Sequence, residues 1–484
     1  MSARLEDKLF EDENLLARLD RIPMTPTLVG LVAILSLVWL AEAFDIGIVG
    51  PVVSELKDAW HLSHAQQGLL GIASTLGVVL GMIPAGVIAD RFGRRPVVLW
   101  GVAFFSVVTL LGAFVHTFWG LWLVRFVAGL GEGAVIPMPY LLLAEFVHTK
   151  RRAVSVGYSN GFLTAAYVVP TIAAVWALHR FPADVAWRVP FVMGALPLVL
   201  LIPLWLWLPE SPRFLLKRGR REEVRRLVER LEDEAGLPHD TTLINRRALV
   251  VIHKGANRVA NLKLLFKPPY IGRGLLVALQ LMGALVLFYI VLTFGATMLQ
   301  DRGFQADNSI LFTGMMMVVG GLGSVLEGYL ADSWGRKRVL SLYFLLAGVG
   351  CGLFALAQAP AWVLLAAFLT SFFGLGVFPV SKICVSEQFP TRLRGEGVYF
   401  SEMFARLLSG VVTLYFIPAL LAAWGNRLLF AAIGIALLVL ALPFVVFGRE
   451  TAWISIEEAG TDISFEELEA EANAVLHGAK APVR

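Results

Sequence analysis

Charge is scarce in this chain. Of its 484 residues only 16% are Asp, Glu, Lys or Arg, while 57% are hydrophobic. A soluble protein carries about a quarter charged residues, so the composition excludes an ordinary soluble domain and predicts solvation mainly by lipid. Cysteine is scarcer still. Cys351 and Cys384 are the two, and both lie inside apolar runs, where they read as small core thiols and suggest no disulfide framework. A basic leader is also missing. The N-terminus is acidic and mixed, its first apolar run begins near Thr27, and no cleavable signal peptide is expected. No nucleophile–base set and no metal-ligand spacing is visible, which argues against an enzyme and against a metal. The net charge of +4 does not imply a nucleic-acid partner, because the cations gather in loops beside apolar runs.

Those runs fill the chain. They lie at about 28–52, 67–89, 97–115, 118–144, 153–178 and 187–208, and after a polar gap at about 272–298, 308–331, 339–358, 361–386, 397–423 and 427–448. Each reaches the roughly 20 residues that a helix needs to cross hydrocarbon, and only helices satisfy their own backbone there. The expected fold class is an all-α membrane protein of twelve transmembrane helices, six per half. Residues 1–27 read as an N-terminal surface helix, 28–208 as the first six-helix bundle and 209–271 as a helical linker. Residues 272–448 read as the second bundle and 449–484 as an acidic tail. The linker is either a brace between the halves or a solvated helix on lipid. Lys and Arg concentrate in the loops after even-numbered spans, which places both termini and the linker in the cytoplasm.

Two charge patterns repeat in one register. Gly86, Asp90, Arg91, Gly93 and Arg94 close span 2, and Gly328, Asp332, Gly335 and Arg336 close span 8, an offset of 242 (328 minus 86). Glu145 and Arg152 recur as Glu387 and Arg394 at the same offset (387 minus 145). An internal duplication explains both, and paired membrane bundles are the architecture of secondary transporters. At a helix C-terminus Asp90 and Asp332 meet the wrong end of the dipole unless a cation or another helix's N-terminus answers them. Arg91, Arg94, Arg152 and Arg394 are the expected answer. Such networks would gate the cytoplasmic face; topology anchoring alone explains the cations but not the repeated Asp and Gly. Gly77 and Gly81, Gly129, Gly131 and Gly133, and Gly320, Gly321 and Gly323 read as close helix packing, with no Walker lysine to make them nucleotide loops.

The two loops resemble the signature loop of the major facilitator superfamily. Pro209, Glu210, Ser211, Pro212 and Arg213, with Glu387, Phe389, Pro390, Thr391, Arg394 and Gly395, are similar to its sugar-porter and metabolite:proton symporter branches. Bacterial organic-acid and nicotinate transporters and synaptic-vesicle glycoproteins carry such motifs. The resemblance runs from roughly Thr25 to Arg449. It implies a proton-coupled carrier of a small metabolite working by alternating access in the inner or plasma membrane. Its partners would be the substrate, protons and the bilayer, with no cofactor beyond the proton gradient, and it would function as a monomer.

A charge inside a span costs about 2.5–3.5 kcal/mol at the midplane, so each one needs a reason. Asp45 in span 1 and Arg125 in span 4 resemble the proton-coupling pair of sugar porters and organic-acid symporters; a static ion pair is the plainer reading. Glu42, one turn before Asp45, either shares the proton or points to the periplasmic vestibule. Glu132 lies seven residues after Arg125 and is either a structural partner or a substrate contact. Glu327 is expected in the gate network. Lys382 and Arg406 are the expected anion holders, with Glu402 one turn before Arg406; against that single carboxylate they leave one formal positive charge in excess. Their repeat counterparts, Tyr140, Thr164 and Asn160, are neutral, so the charges are not repeat scaffolding. Sugar porters carry two glutamines and an asparagine in span 7, of which only Gln280 remains. Asn160 stands for their span-5 glutamine, and Tyr140, Tyr158, Tyr167, Phe288 and Tyr289 suit a planar acid better than a polyol. An organic acid is the expected cargo, a sugar or polyol the alternative, and a non-transporting receptor the reading of another class.

Overall fold

The computed structural model describes residues 3–48, 52, 56, 60–243, 262–390 and 393–454. Linker residues 244–261, tail residues 455–484 and Thr391 of the span 10–11 motif lie outside the described residues. Every regular element among the described residues is a helix. Eleven are long and apolar enough to cross a membrane. They are span 1 (Pro26–Gly47), span 2 (Gly68–Phe92), span 3 (Arg94–Gly112), span 4 (Phe118–Phe146) and span 6 (Val189–Trp207). In the second half they are span 7 (Tyr270–Ala296), span 8 (Asn308–Trp334), span 9 (Arg336–Leu356), span 10 (Pro360–Glu387), span 11 (Arg394–Ile417) and span 12 (Ala423–Phe447). Span 5 is the twelfth, cut at Tyr167 into Arg152–Ala166 and Val168–Arg180. Pro170 falls in the first turn of the second piece, where a missing N–H breaks no intrahelical bond. Span 1 starts on Thr25, whose hydroxyl accepts from the Leu28 amide, with Pro26 in the first turn.

Spans 4 and 10 break at equivalent places. Span 4 stops at Val135 and restarts over Met138–Phe146, and span 10 stops at Gly374 and restarts over Phe378–Glu387. Pro137 and Pro379 share the repeat offset of 242 (379 minus 137), and a proline cannot donate back along a helix. Each short second piece carries a central residue, Tyr140 in one and Lys382 in the other. In span 11 a π-helix over Leu407–Thr413 follows Arg406 directly, a widened turn of the kind found beside functional sites.

The halves touch backbone to backbone. A Cβ added at Gly321 in span 8 would stand 2.5 Å from the Gly161 carbonyl oxygen in span 5, so no larger residue fits. Within the first half, a Cβ at Gly77 would lie 2.1 Å from the Phe126 oxygen, joining spans 2 and 4 as their glycine runs predict. Ile83, Trp100, Ile202, Trp205, Leu356 and Phe447 are exposed on the outside, the face that lipid would solvate.

On the face that carries the linker, the N-terminal helix Ala3–Arg21 lies against the linker helix Arg221–Ala235. Arg18 and Arg21 both bond Glu232 at 2.6 Å, and Arg221 bonds Asp12 at 2.6 Å. The linker helix thus braces the chain's own N-terminus.

Candidate functional site

Spans 1 and 4 bring Asp45 and Arg125 together inside the first half. Arg125 Nη1 donates to Asp45 Oδ2 at 2.8 Å and Nη2 to the Asp45 carbonyl at 3.2 Å, while Thr109 of span 3 donates to Asp45 Oδ1. Both partners are buried. Glu132, read as either a structural partner or a substrate contact, lies here beside Asp45. Seven residues carry it two turns along the Arg125 face; it accepts from Ser74 Oγ of span 2 at 3.2 Å and lies against Asp45. One guanidinium neutralises one carboxylate, so in a buried site this cluster is neutral only with a proton on the carboxyl pair.

A second cluster lies between the halves. Lys382 Nζ donates to Asn160 Oδ1 at 2.9 Å and stands 4.2 Å from the Trp39 ring centre. Asn160 Nδ2 in turn donates to Ser324 at 3.1 Å. Arg406 Nε donates to Glu402 Oε2 at 3.1 Å and Nη1 to the Tyr289 oxygen at 3.2 Å. Tyr140 reaches across from the first half and donates to Glu402 Oε1 at 3.1 Å. Tyr167 and Phe378 meet the Phe288 ring edge-on at 5.1 and 5.8 Å. The structure therefore assembles Lys382, Arg406, Glu402, Asn160, Tyr140 and Tyr289 as one site.

Four expectations are corrected there. Glu42 points neither to a vestibule nor to Asp45. It is buried, and the strongest charges reaching it are Arg406, Lys382 and Glu402. With Glu42 counted, two cations face two carboxylates, and the expected excess positive charge disappears. Gln280 turns its amide onto the Ser381 carbonyl at 3.2 Å, bracing span 7 against span 10 backbone. Tyr158 is exposed and bonds Tyr329 at 2.6 Å outside the cluster. Glu327 is absent from the gate: its Oε2 accepts from the Val380 amide at 3.0 Å, an anion or polar cap at the restart of span 10.

On the linker face the repeated motifs interlock. Arg152 Nη1 and Glu387 Oε1 meet at 2.6 Å across the two halves, and Arg336 reaches the same carboxylate at 3.2 Å. Arg94 pairs with Glu145 and donates to Ser211 at 2.7 Å. Asp332 accepts from the amides of Ala153 and Val154, at 3.2 and 3.0 Å, at the N-terminus of span 5. Asp90 lies against Gly395 at the start of span 11, the counterpart of Ala153 (395 minus 242). Arg394 donates to the Ser386 carbonyl at 3.1 Å. Gly86 lets span 2 approach Tyr399 and the Glu396 backbone. Arg91, expected to answer Asp90, is exposed and stands 5.4 Å from the Phe92 ring centre; one residue turns the helix by about 100°.

Over residues 30–462 the sequence matches the family described as "Sugar (and other) transporter". The chain belongs to that family. It is a membrane transporter of the major facilitator fold, not an enzyme. It is 25% identical to the niacin transporter NiaP of Acinetobacter baylyi, over 92% of this chain and 100% of that one. It is 26% identical to a gallate transporter of Pseudomonas putida, over 85% and 90%. The proton:xylose symporter XylE, solved with 6-bromo-6-deoxy-D-glucose, superposes with a TM-score of 0.75 at 21% identity, covering 92% of this chain and 98% of that one.

Two capping roles were not read from the sequence, that of Glu210, which was noted only as part of its motif, and that of Glu450. Glu210 Oε1 accepts from the Arg94 amide at 2.9 Å, and Glu450 accepts from the Arg336 and Lys337 amides at 3.0 and 3.1 Å. Each caps the helix that follows a glycine at positive φ, Gly93 at 102° and Gly335 at 97°. A Cβ at Gly93 would lie 2.2 Å from Glu210 Oε2. The signal was present: Glu210 and Glu450 are 240 apart (450 minus 210), close to the repeat offset. Assigning 449–484 wholly to a tail hid it, whereas Glu450 and Thr451 fold back onto span 9, where the Thr451 carbonyl accepts from Arg336.

Proposed function

We propose that the transporter carries a small, partly apolar organic acid, aromatic or heteroaromatic, together with protons across the inner or plasma membrane. The linker face and both termini are cytoplasmic in this reading, the working unit is a monomer, and no cofactor is needed beyond the proton gradient. The observation that carries it is Lys382, a buried cation held by a neutral amide and an aromatic face rather than by a carboxylate. A cation taken out of water gains most from an anionic partner, and a ligand carboxylate supplies one. Relatives named for niacin and gallate transport support that cargo class.

Asp45 and Arg125 serve as the proton switch. While paired, the guanidinium favours the carboxylate; a rocking of span 1 against span 4 that separates them favours the acid. The Arg152–Glu387 contact and the Asp332 cap of span 5 hold the cytoplasmic side closed while cargo enters from outside. The sugar reading has less support. Its fold analogue is XylE, but Gln280 Nε2 and Asn160 Oδ1 are committed to the Ser381 carbonyl and to Lys382, leaving fewer groups for hydroxyls.

The test is competition by nicotinate against nicotinamide, and by gallate against its amide, in proteoliposomes. The acids compete at least tenfold better; amides that match them overturn the carboxylate reading. Arg406→Lys weakens acid binding by about 10- to 100-fold, the worth of a charge-assisted hydrogen bond. Lys382→Gln weakens it less and narrows the preference over the amide.

A further inference from the structure

We propose that Glu42 is the carboxylate that a bound substrate anion replaces, so that one proton taken up on Glu42 accompanies each organic acid bound. This rests on the carboxylate cargo proposed above and adds the group that ties cargo to proton within the cargo site itself, apart from Asp45.

The central site is neutral by count, with Lys382 and Arg406 against Glu402 and Glu42, but its members are held unequally. Arg406 is engaged by Glu402 and Tyr289, and Glu402 is held at both oxygens, by Arg406 and by Tyr140. Lys382 rests on Asn160 and the Trp39 face. Glu42 is buried with its Oε2 lacking any hydrogen-bond partner. Among the described residues no cation reaches ion-pair distance of Glu42, and no carboxylate reaches ion-pair distance of Lys382. The two loosest charges are therefore opposite in sign and stand on opposite halves, Glu42 on span 1 and Lys382 on span 10.

A carboxylate arriving at Lys382 takes the site to one negative charge in excess. A buried excess charge is costly and is relieved most cheaply by a proton. Glu402 cannot take it without losing the Arg406 bond. The other groups facing Glu42 are Glu132 of span 4 and the phenols Tyr167 and Tyr289; Glu132 belongs to the Asp45–Arg125 cluster, and the phenols are already neutral. Among the described residues Glu42 has no hydrogen bond or ion pair to lose. The proton comes from the outer solution and forms an O–H bond on Glu42, and no bond in the cargo changes. When the site opens to the other side, the anion leaves, Lys382 and Arg406 again favour the carboxylate form, and the proton follows.

The experiment is titration of nicotinate, with benzoate and gallate alongside, into the purified full-length transporter between pH 5 and 9. Proton uptake is read in weak buffer. Above the pH at which Glu42 ionises, wild-type affinity falls about tenfold per pH unit, the slope for one linked proton, and binding takes up one proton per ligand. Glu42→Gln binds with an affinity independent of pH and takes up none; Glu42→Asp keeps the uptake with a displaced pH midpoint. Proton uptake that persists in Glu42→Gln, or that vanishes in Asp45→Asn while Glu42→Gln retains it, overturns the proposal. Wild-type binding without proton uptake overturns it and leaves the carboxylate cargo standing. Failure of all three acids to bind at any pH overturns both.

Discussion

The two halves agree on the linker face and disagree in the middle of the membrane. Arg94 and Arg336, Glu145 and Glu387, and the capping Glu210 and Glu450 occupy matched places and make matched bonds. In the interior, Asp45, Glu42 and Glu132 belong only to the first half, Lys382, Glu402 and Arg406 only to the second. The duplicated residues set how the bundles close on one another. The unduplicated ones set what passes between them, and how protons travel with it. Where they meet, Glu42 of the first half faces Lys382 and Arg406 of the second.

The largest effect should come from breaking that division of labour at its first member. Asp45→Asn removes the only anion among the described residues that bonds Arg125 directly, while keeping shape and one hydrogen bond. Proton-driven accumulation of the acid should fall to what the single Glu42 proton sustains, whereas counterflow exchange, which needs no net proton movement, should persist. Accumulation at the wild-type level in proteoliposomes would show that the coupling proton lies elsewhere.

The gate tests how deep the agreement between halves goes. Asp332 holds two amides of span 5, whereas Asp90 meets the carboxyl of Glu396, and Glu396 Oε2 is buried without a partner. The counterpart of Glu396 is Val154 (396 minus 242), so the two corners are not chemically equal. Asp332→Ala removes two charge-assisted bonds of about 1.5–3 kcal/mol each; Asp90→Ala also relieves crowding between carboxyls. In a Cys351→Ser background, labelling of buried Cys384 from the linker face should therefore rise several-fold in Asp332→Ala and less in Asp90→Ala. Equal labelling would mean that the corners act alike despite Glu396.

Span number, the repeat and the gate motifs were legible because they rest on composition and register, which the sequence carries openly. The Asp45–Arg125 pair was legible for a different reason: both positions resemble the charged pair of sugar porters and organic-acid symporters. Glu42 and Glu327 were misplaced, and Glu132 was left between two readings, because helical spacing fixes a face but not which neighbour that face meets. Glu42 lies one turn from Asp45, yet the break in span 10 at Pro379 and the widened turn after Arg406 bring second-half cations to it. Gln280 was misread because an amide in a span is as ready to bond a broken helix's backbone as a ligand. Glu450 was missed although its register was visible, since an acidic stretch after the last span reads as a tail.

The smallest expected effect on transport lies outside the membrane, where the linker helix braces the N-terminal helix. Glu232 is fully buried between Arg18, at 2.6 Å, and Arg21, also at 2.6 Å. Burial pushes its carboxyl up, but hydrogen bonds from both guanidinium groups outweigh that and hold it below the ordinary value of 4.5. A carboxylate whose folded value is depressed stabilises the contact above its unfolded value, and that stabilisation is lost as pH falls through the folded one. The brace should thus be intact at neutral pH and loosen only below about pH 4.5. Glu232→Gln should imitate the acid state at pH 7, leaving Arg18 buried without its anion. Amide exchange in the N-terminal helix should then quicken about tenfold, the equivalent of about 1.4 kcal/mol, while acid uptake changes less than twofold. Transport that collapses with Glu232→Gln would make the brace part of the moving machinery.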